Sequence, residues 1–485
     1  MSFETLENLS IKLIDGDRGK NYPKQSDFFD RSDCLFLSAK NVTKNGFEFT
    51  DCSFISMEKD HQLRAGKLER NDIVLTTRGT IGNLALYDES VSISNVRINS
   101  GMIIFRPNTT MWNPRFLYFL LNSDLVTQQI LALTSGSAVP QLPARDLKKF
   151  VLPVVPLSKQ NKIVEIIGAI VDKVQINRVI NQTLEQMAQA LFKSWFVDFE
   201  PVKAKMAVLE SGGSQADAML AAMTAISGKD ADALAVFERE HPEQYAELKA
   251  TAELFPSAMQ ESEGRDIPKG WAVVKTEELT SKIGMGPFGS NIKVSTFVDE
   301  GIPIISGQHL KESILNDGEN NFVTLEHADK LKSSNVFSED IIFTHAGSIG
   351  QVSIIPEFSE YDRYVISQRQ FFLRADKKLI SPYYLLYFFR SRTGQHLLLS
   401  NASQVGVPSI ARPSSHLKNI ELVAPDFKLV KKFEDHCKTI INGVVQRKKQ
   451  TVLLKNIRDT LLPKLLSGEI TLPEAEQAVS EAENV

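Results

Sequence analysis

The chain has 485 residues, 55 Lys plus Arg against 59 Asp plus Glu, a formal net charge of −4, and 42% hydrophobic with 24% charged residues. This balance excludes collagen-like, disordered and disulfide-miniprotein classes and leaves room for two to four domains at ~150 residues each. Cys34, Cys52 and Cys437 are scattered, without zinc or disulfide spacing. No run approaches the ~18 apolar residues of a membrane span, and the first residues, from Met1 to Leu6, carry neither a basic nor an apolar leader region. A cytoplasmic chain with no membrane partner is expected. Taken alone, the slightly acidic balance argues against nucleic acid, because phosphate binding is driven by Lys and Arg.

The chain repeats itself. Residues 72–82 recur as 340–350, a shift of 268 that also carries 35–38 onto 303–306, 114–117 onto 382–385, and 139–142 onto 407–410. Further on the shift is 270, with Leu184 matching Leu454 and Leu191 matching Leu461.

In chain order, residues 1–156 form the first globular copy. Short β-branched runs at 72–84 and 98–105 predict strands. Gly79 and Gly82 predict a tight turn, where a missing β-carbon permits positive φ. Leu and aromatic residues at helical spacing after Pro114 predict a buried helix. Residues 157–200 predict a long helix, with Ile163, Ile167, Ile170 and Val174, then polar Asn177 and Asn181, then Leu184, Ala188 and Leu191 in heptad alternation. Residues 201–266 predict an acidic linker with short helices, holding 6 basic and 12 acidic side chains.

Residues 267–425 form the second globular copy, with strands in 340–355 and 364–373, the matching glycines Gly347 and Gly350, and a helix after Pro382. Residues 426–468 predict the second long helix: Phe433, Cys437, Ile440 and Val444, then polar Arg447 and Thr451, then Leu454 and Leu461, until Pro463 ends the regularity. Residues 469–485 are an acidic tail. Linker and tail carry net charges of −6 and −5, which leaves +7 for the two repeats. The expected fold class is α+β: two pseudo-symmetric globular α/β domains separated by two long helices that form an antiparallel coiled coil. At ~1.5 Å per residue each rod is ~50 Å long.

Catalytic signatures are missing. There is no G-x-x-x-x-G-K-[ST], no H-E-x-x-H and no Cys cluster. Residues 284–289 satisfy G-x-G-x-x-G, but Pro287 interrupts the pattern and β-prone residues 291–294 follow where a helix should open, so a structural or contact loop is expected. The eight histidines show no metal-ligand spacing. A non-catalytic chain that itself binds no metal or cofactor is expected.

Several stretches, together and in this order, resemble the specificity (S) subunit of type I restriction-modification systems over nearly the full length. They are residues 72–82 with their repeat, the proline-rich 152–160, residues 192–201 (FKSWFVDFEP), Asp266-Ile267-Pro268-Lys269-Gly270-Trp271, Gly286-Pro287-Phe288-Gly289-Ser290, and residues 461–468 (LLPKLLSG). The resemblance implies that 1–156 and 267–425 are target-recognition domains, each reading one half of a split, asymmetric site in double-stranded DNA, with the paired helices as a ruler. It also implies assembly with two modification subunits that use S-adenosylmethionine to methylate adenine and two restriction subunits that use ATP and magnesium.

Candidate DNA contacts follow from residue type and loop position, because Arg, Lys, Asn and Gln can bond base edges while other Lys and Arg hold phosphates. In the first domain these are Arg18, Lys20, Lys40, Asn41, Arg78, Arg97 and Arg145. In the second they are Lys293, Gln308, His309, His345, Arg369 and Arg412. Gln308 and His309 occupy the repeat positions of Lys40 and Asn41. Two alternatives remain open: a stand-alone DNA-binding regulator, which would bind tightly without partners, and a coiled-coil scaffold, which would show no salt-dependent DNA binding.

Overall fold

The computed structural model describes residues 2–134, 141–403 and 406–483, so Val139 and Pro140 of the repeat lie outside the described residues. The chain divides into two compact units, Met1–Arg178 with Lys448–Val485, and Val179–Arg447. Each unit holds one globular copy, and each long helix is divided between the two units.

In the first unit, short runs rich in Ile, Leu and Val build a four-stranded antiparallel sheet in the order Ile11–Asp15, Met102–Pro107, Asp72–Thr76, Leu84–Tyr87. The second unit repeats this as Thr280–Met285, Gln370–Ala375, Ile341–Thr344, Val352–Ile354. The central strands are buried on both faces, which is why they read as continuous apolar runs. The expected glycine turns are present: Gly79 and Gly82 have φ of 74° and 93°, Gly347 and Gly350 87° and 86°.

One helix after each sheet, Pro114–Leu121 or Pro382–Arg390, starts on a capping side chain, Asn113 or Ser381, and buries its aromatic face. A two-stranded sheet then joins the start of each copy to its end, Ser2–Thr5 with Val151–Val154 and Ala272–Lys275 with Glu421–Ala424. Across each sheet runs the same buried fork. Arg106 reaches both oxygens of Asp72 at 2.8 and 2.7 Å, and Arg374 those of Asp340 at 2.7 and 2.6 Å.

The long helices are Leu157–Phe196 and Phe427–Ser467. Within the first unit, Ile163, Ile167 and Ile170 share one core with Leu454 and Leu461. There buried Asn177 donates to Gln450 Oε1 at 2.8 Å, a polar layer of the kind that fixes helix register. Within the second unit, Phe192 meets Phe433 at a ring separation of 5.7 Å and Trp195 meets His436 at 5.9 Å, while the Leu184 side chain lies beside Gly443. From Leu184 beside Gly443 to Phe192 beside Phe433 the residue number rises on one helix as it falls on the other, so the pair runs antiparallel there.

The ends and the insert pack more than charge and composition imply. The second long helix ends at Ser467, close to the expected bound of 468, but Pro463 does not end its regularity, because Leu461, Leu462, Leu465 and Leu466 are all buried in the first unit's core. The tail is not merely acidic: Leu472–Glu483 is a helix whose Ala475 and Val479 enter the same core. The insert is a packed element of four helices, Glu200–Glu210, Gln215–Ser227, Ala231–Glu240 and Pro242–Glu253, with a small core of Ala222, Met223, Leu234 and Ala252. Lys205 locks it by donating to the carbonyls of Ala252 and Phe255 at 2.7 and 2.6 Å.

Candidate nucleic-acid interface

At one end of each sheet, three turns meet. In the first copy, a β-carbon at Gly16 would lie 2.1 Å from the Asn99 carbonyl oxygen, so only glycine lets the chain leave Ile11–Asp15 so close to the turn 99–101. Thr77 N–H donates to Gly101 O at 2.8 Å, tying that turn to the glycine turn, and Leu142 N–H donates to Thr77 O at 3.1 Å. The second copy repeats all three contacts. A β-carbon at Gly286 would lie 2.0 Å from Ser367 O; His345 N–H donates to Arg369 O at 2.9 Å; Ile410 N–H donates to His345 O at 2.8 Å.

Each cluster carries an exposed arginine on these turns, but from opposite strands. Arg78 stands across from Gly101, its β-carbon 3.6 Å from where a Gly101 β-carbon would be. In the second copy Ala346 replaces Arg78 and Arg369 replaces Gly101, and the Arg369 Nη1 lies 3.6 Å from where a Gly347 β-carbon would be. Among the described residues neither guanidinium has a hydrogen-bond or ion-pair partner. Exposed Lys20, Lys293 and Arg412 are also unpaired among the described residues. Arg412 sits two residues past Ile410, at φ 45°, in the position just before the helix Pro413–Asn419, with no capping bond from its side chain. Arg18 reaches Asp15 Oδ1 at 3.1 Å and the Ser100 carbonyl at 3.4 Å, which holds it beside the same turn as Arg78.

The remaining expected contacts are placed differently. Lys40 is exposed and paired with Asp51 at 2.7 Å; Arg145 is exposed, 3.7 Å from Asp146; Gln308 donates to Glu319 O at 3.2 Å. His345 is half-buried, burial lowers its pKa, and its ring Nε2 lies 3.1 Å from Gln368 O. Asn41, Arg97 and His309 require correction, because their side chains are buried and hold the fold. Asn41 Oδ1 accepts from Ser38 N–H at 2.9 Å, and His309 Nδ1 accepts from Ser306 N–H at 3.0 Å. Their shared repeat position reflects this shared cap.

Arg97 is bound to Asp60 and donates to the carbonyls of Asp60, Leu63 and Ala65 at 2.9, 3.2 and 2.7 Å. Burial pushes the Asp60 carboxyl up, but the bonds from Lys67 and Arg97 outweigh it and bring its pKa down to about 2. In the second copy the matching positions are Ala328 and Val365, both in an apolar core.

Residue type also passed over an exposed aromatic. Phe288, in the loop after Thr280–Met285, is 82% exposed. The signal was available: at the 270-residue shift that aligns Gly16 with Gly286, Phe288 matches Arg18.

What these surfaces offer chemically is a set of cationic donors on rigid turns. Among the described residues no group of three or more His, Cys, Asp or Glu side chains is placed to hold a metal ion, and no single helix is long and apolar enough to cross a membrane.

The family described as the type I restriction modification DNA specificity domain matches residues 17–186. The type I restriction enzyme HindI specificity subunit of Haemophilus influenzae is 28% identical over 463 residues, covering 94% of this chain and 98% of its own length. The MjaIX specificity subunit of Methanocaldococcus jannaschii is 22% identical, covering 84% of this chain and 79% of its own. A crystal structure of the type I restriction-modification S subunit from M. genitalium aligns with 96% of this chain and 95% of its own at 14% identity and a TM-score of 0.43.

Proposed function

The chain belongs to the family of type I restriction-modification specificity subunits, the non-catalytic DNA-recognition component of those systems, and we propose that its two turn clusters each read one half of a split, asymmetric double-stranded DNA site. The observation that carries this reading is the matched pair Arg78 and Arg369: at the same three-turn junction in each copy stands one exposed guanidinium without a partner among the described residues, supplied from opposite strands. Each donates two N–H groups to a guanine edge in the major groove, the pairing that its planar fork suits. Arg18, Lys20, Lys40 and Arg145 in the first domain, and Lys293, Gln308, His345 and Arg412 in the second, supply phosphate and further base contacts. Residues 157–200 and 426–468 set the spacing of the two halves. Two modification subunits carry S-adenosylmethionine, two restriction subunits carry ATP and magnesium, and the assembly works in the cytoplasm.

Fluorescence anisotropy on labelled DNA, with and without the modification subunit, tests this. The chain alone binds weakly and the complex binds its site specifically. In the complex, Arg78→Ala and Arg369→Ala each cost ~1–3 kcal/mol and each relax a different half-site. Absence of DNA binding in both preparations refutes the reading. Deleting one heptad from each long helix changes the spacer and leaves the half-sites as they were; an unchanged spacer refutes the ruler.

A further inference from the structure

The loop 286–294 presents a large apolar side chain on a fixed backbone. Gly286 N–H donates to Gln370 O at 2.9 Å, Ser334 Oγ donates to Met285 O at 2.8 Å, and the His327 ring lies 2.7 Å from Asn291 O. Between these anchors Phe288 is 82% exposed. A single exposed aromatic is unremarkable on a surface, but this one is held out by a loop bonded at both ends. The loop is rooted on the turn 367–370 that carries Arg369, and it occupies the place of Arg18 in the other copy. Lys293 stands exposed at its far end. An exposed aromatic ring on a loop that also carries exposed Lys293 fits a surface that offers phosphates around an apolar spot, and in the DNA major groove that spot is the thymine C5-methyl group.

We propose that Phe288 is a specificity-determining residue of the second domain, packing against a thymine methyl in the half-site that Arg369 reads. The proposal rests on the DNA-recognition reading above and adds the base chemistry. Covering one methyl is worth about a four-fold change in affinity.

The test uses the full chain assembled with its modification subunit on its mapped site. Each thymine of both half-sites is exchanged in turn for deoxyuridine, which removes only the methyl, and affinity is measured for the parent and for Phe288→Ala. One position in the second half-site is expected to weaken the parent by about four-fold and to leave Phe288→Ala unchanged, with the salt dependence of both proteins equal. The proposal is overturned if no exchange distinguishes the two proteins. It is also overturned if Phe288→Ala loses the same factor on specific and unrelated DNA, or if it fails to co-purify with the modification subunit in the absence of DNA, which would make Phe288 a protein contact. Arg369→Ala in the same assay separates the two claims: if it keeps full affinity and specificity, the underlying reading of the second cluster fails, whatever Phe288 does.

Discussion

Exchanging the buried ion pair of the first copy for the apolar pair of the second, Asp60→Ala with Arg97→Val, separates a fold role from a contact role for Arg97. The side chains of Asp60 and Arg97 are 4% and 8% exposed, and the guanidinium is spent on one carboxylate and three carbonyls. Arg97→Val alone leaves a buried carboxylate with Lys67 as its remaining cation, and breaking a buried pair costs ~3–5 kcal/mol. The carboxyl itself gives a lower figure. Lowered from 3.8 to about 2, at ~1.4 kcal/mol per pH unit it contributes ~2.5 kcal/mol at neutral pH. The double variant removes both charges and recreates Ala328 and Val365, which sit in an apolar core beside Ile304, Val323 and Leu331 where the first copy has Phe36, Ile55 and Leu63. Replacing a buried pair by apolar groups is often neutral or stabilising, so the double variant should recover most of the loss.

Amide hydrogen exchange in the strands Cys34–Leu37 and Val96–Ile98 reads this locally, which matters in a chain of two units that need not unfold together. At pH 7, Arg97→Val should speed exchange by about two orders of magnitude, the equivalent of ~3 kcal/mol, and the double variant by less than ten-fold. The sign with pH follows from the depressed carboxyl. Its stabilisation is complete above the unfolded carboxyl value near 4 and is lost as pH falls through about 2, so the parent loosens across that window and the double variant does not. A double variant as loose as the single, or a single variant that weakens DNA binding with exchange unchanged, refutes the fold role.

His309→Asn copies the first domain's cap, Asn41. Because His309 accepts a hydrogen bond on Nδ1 and burial lowers its pKa, its share of stability is complete above ~6.5 and falls as pH drops below that value. Urea midpoints should therefore drop between pH 7.5 and 5.5 by more for the parent than for His309→Asn, which keeps only the smaller fall due to His345, whose pKa burial also lowers; parallel curves refute the cap. Asn177→Leu removes the buried amide layer between the long helices. It should raise the first unit's urea stability by ~1 kcal/mol while adding a second population in cysteine cross-linking along the pair; lower stability with a single population refutes the register role.

Much of the frame was legible because its signals are local. β-Branched runs, paired glycines and the heptad pattern each report their own element, and the repeat shift reports the architecture. Burial was not legible in the same way. Asn41, His309 and Arg97 are polar residues near strand ends, where a base contact and a backbone cap call for the same donors and acceptors. Lys205 looks like a solvated linker charge until the fold brings the carbonyls of Ala252 and Phe255 to it. Ala475 and Val479 lie at helical spacing in a segment whose acidic charge masked the stripe.

The shift between the copies is itself informative once the contacts are known. It is 270 at Gly16 and Gly286, 268 from Phe36 and Ile304 to Leu142 and Ile410, and 270 again at Leu147 and Leu417, whose neighbours Phe150 and Ile420 accept from Leu6 and Thr276. Length has therefore changed in only two places within the globular part, residues 17–35 against 287–303 and residues 143–146 against 411–416. Those segments carry Arg18, Lys20 and Arg145 in the first copy and Phe288, Lys293 and Arg412 in the second. The central strand pairs, the Asp–Arg forks and the glycine turns keep their register. Two copies of one rigid frame that differ in length where their exposed cations and Phe288 stand are built to present different chemistry from the same geometry, which is what an asymmetric site requires.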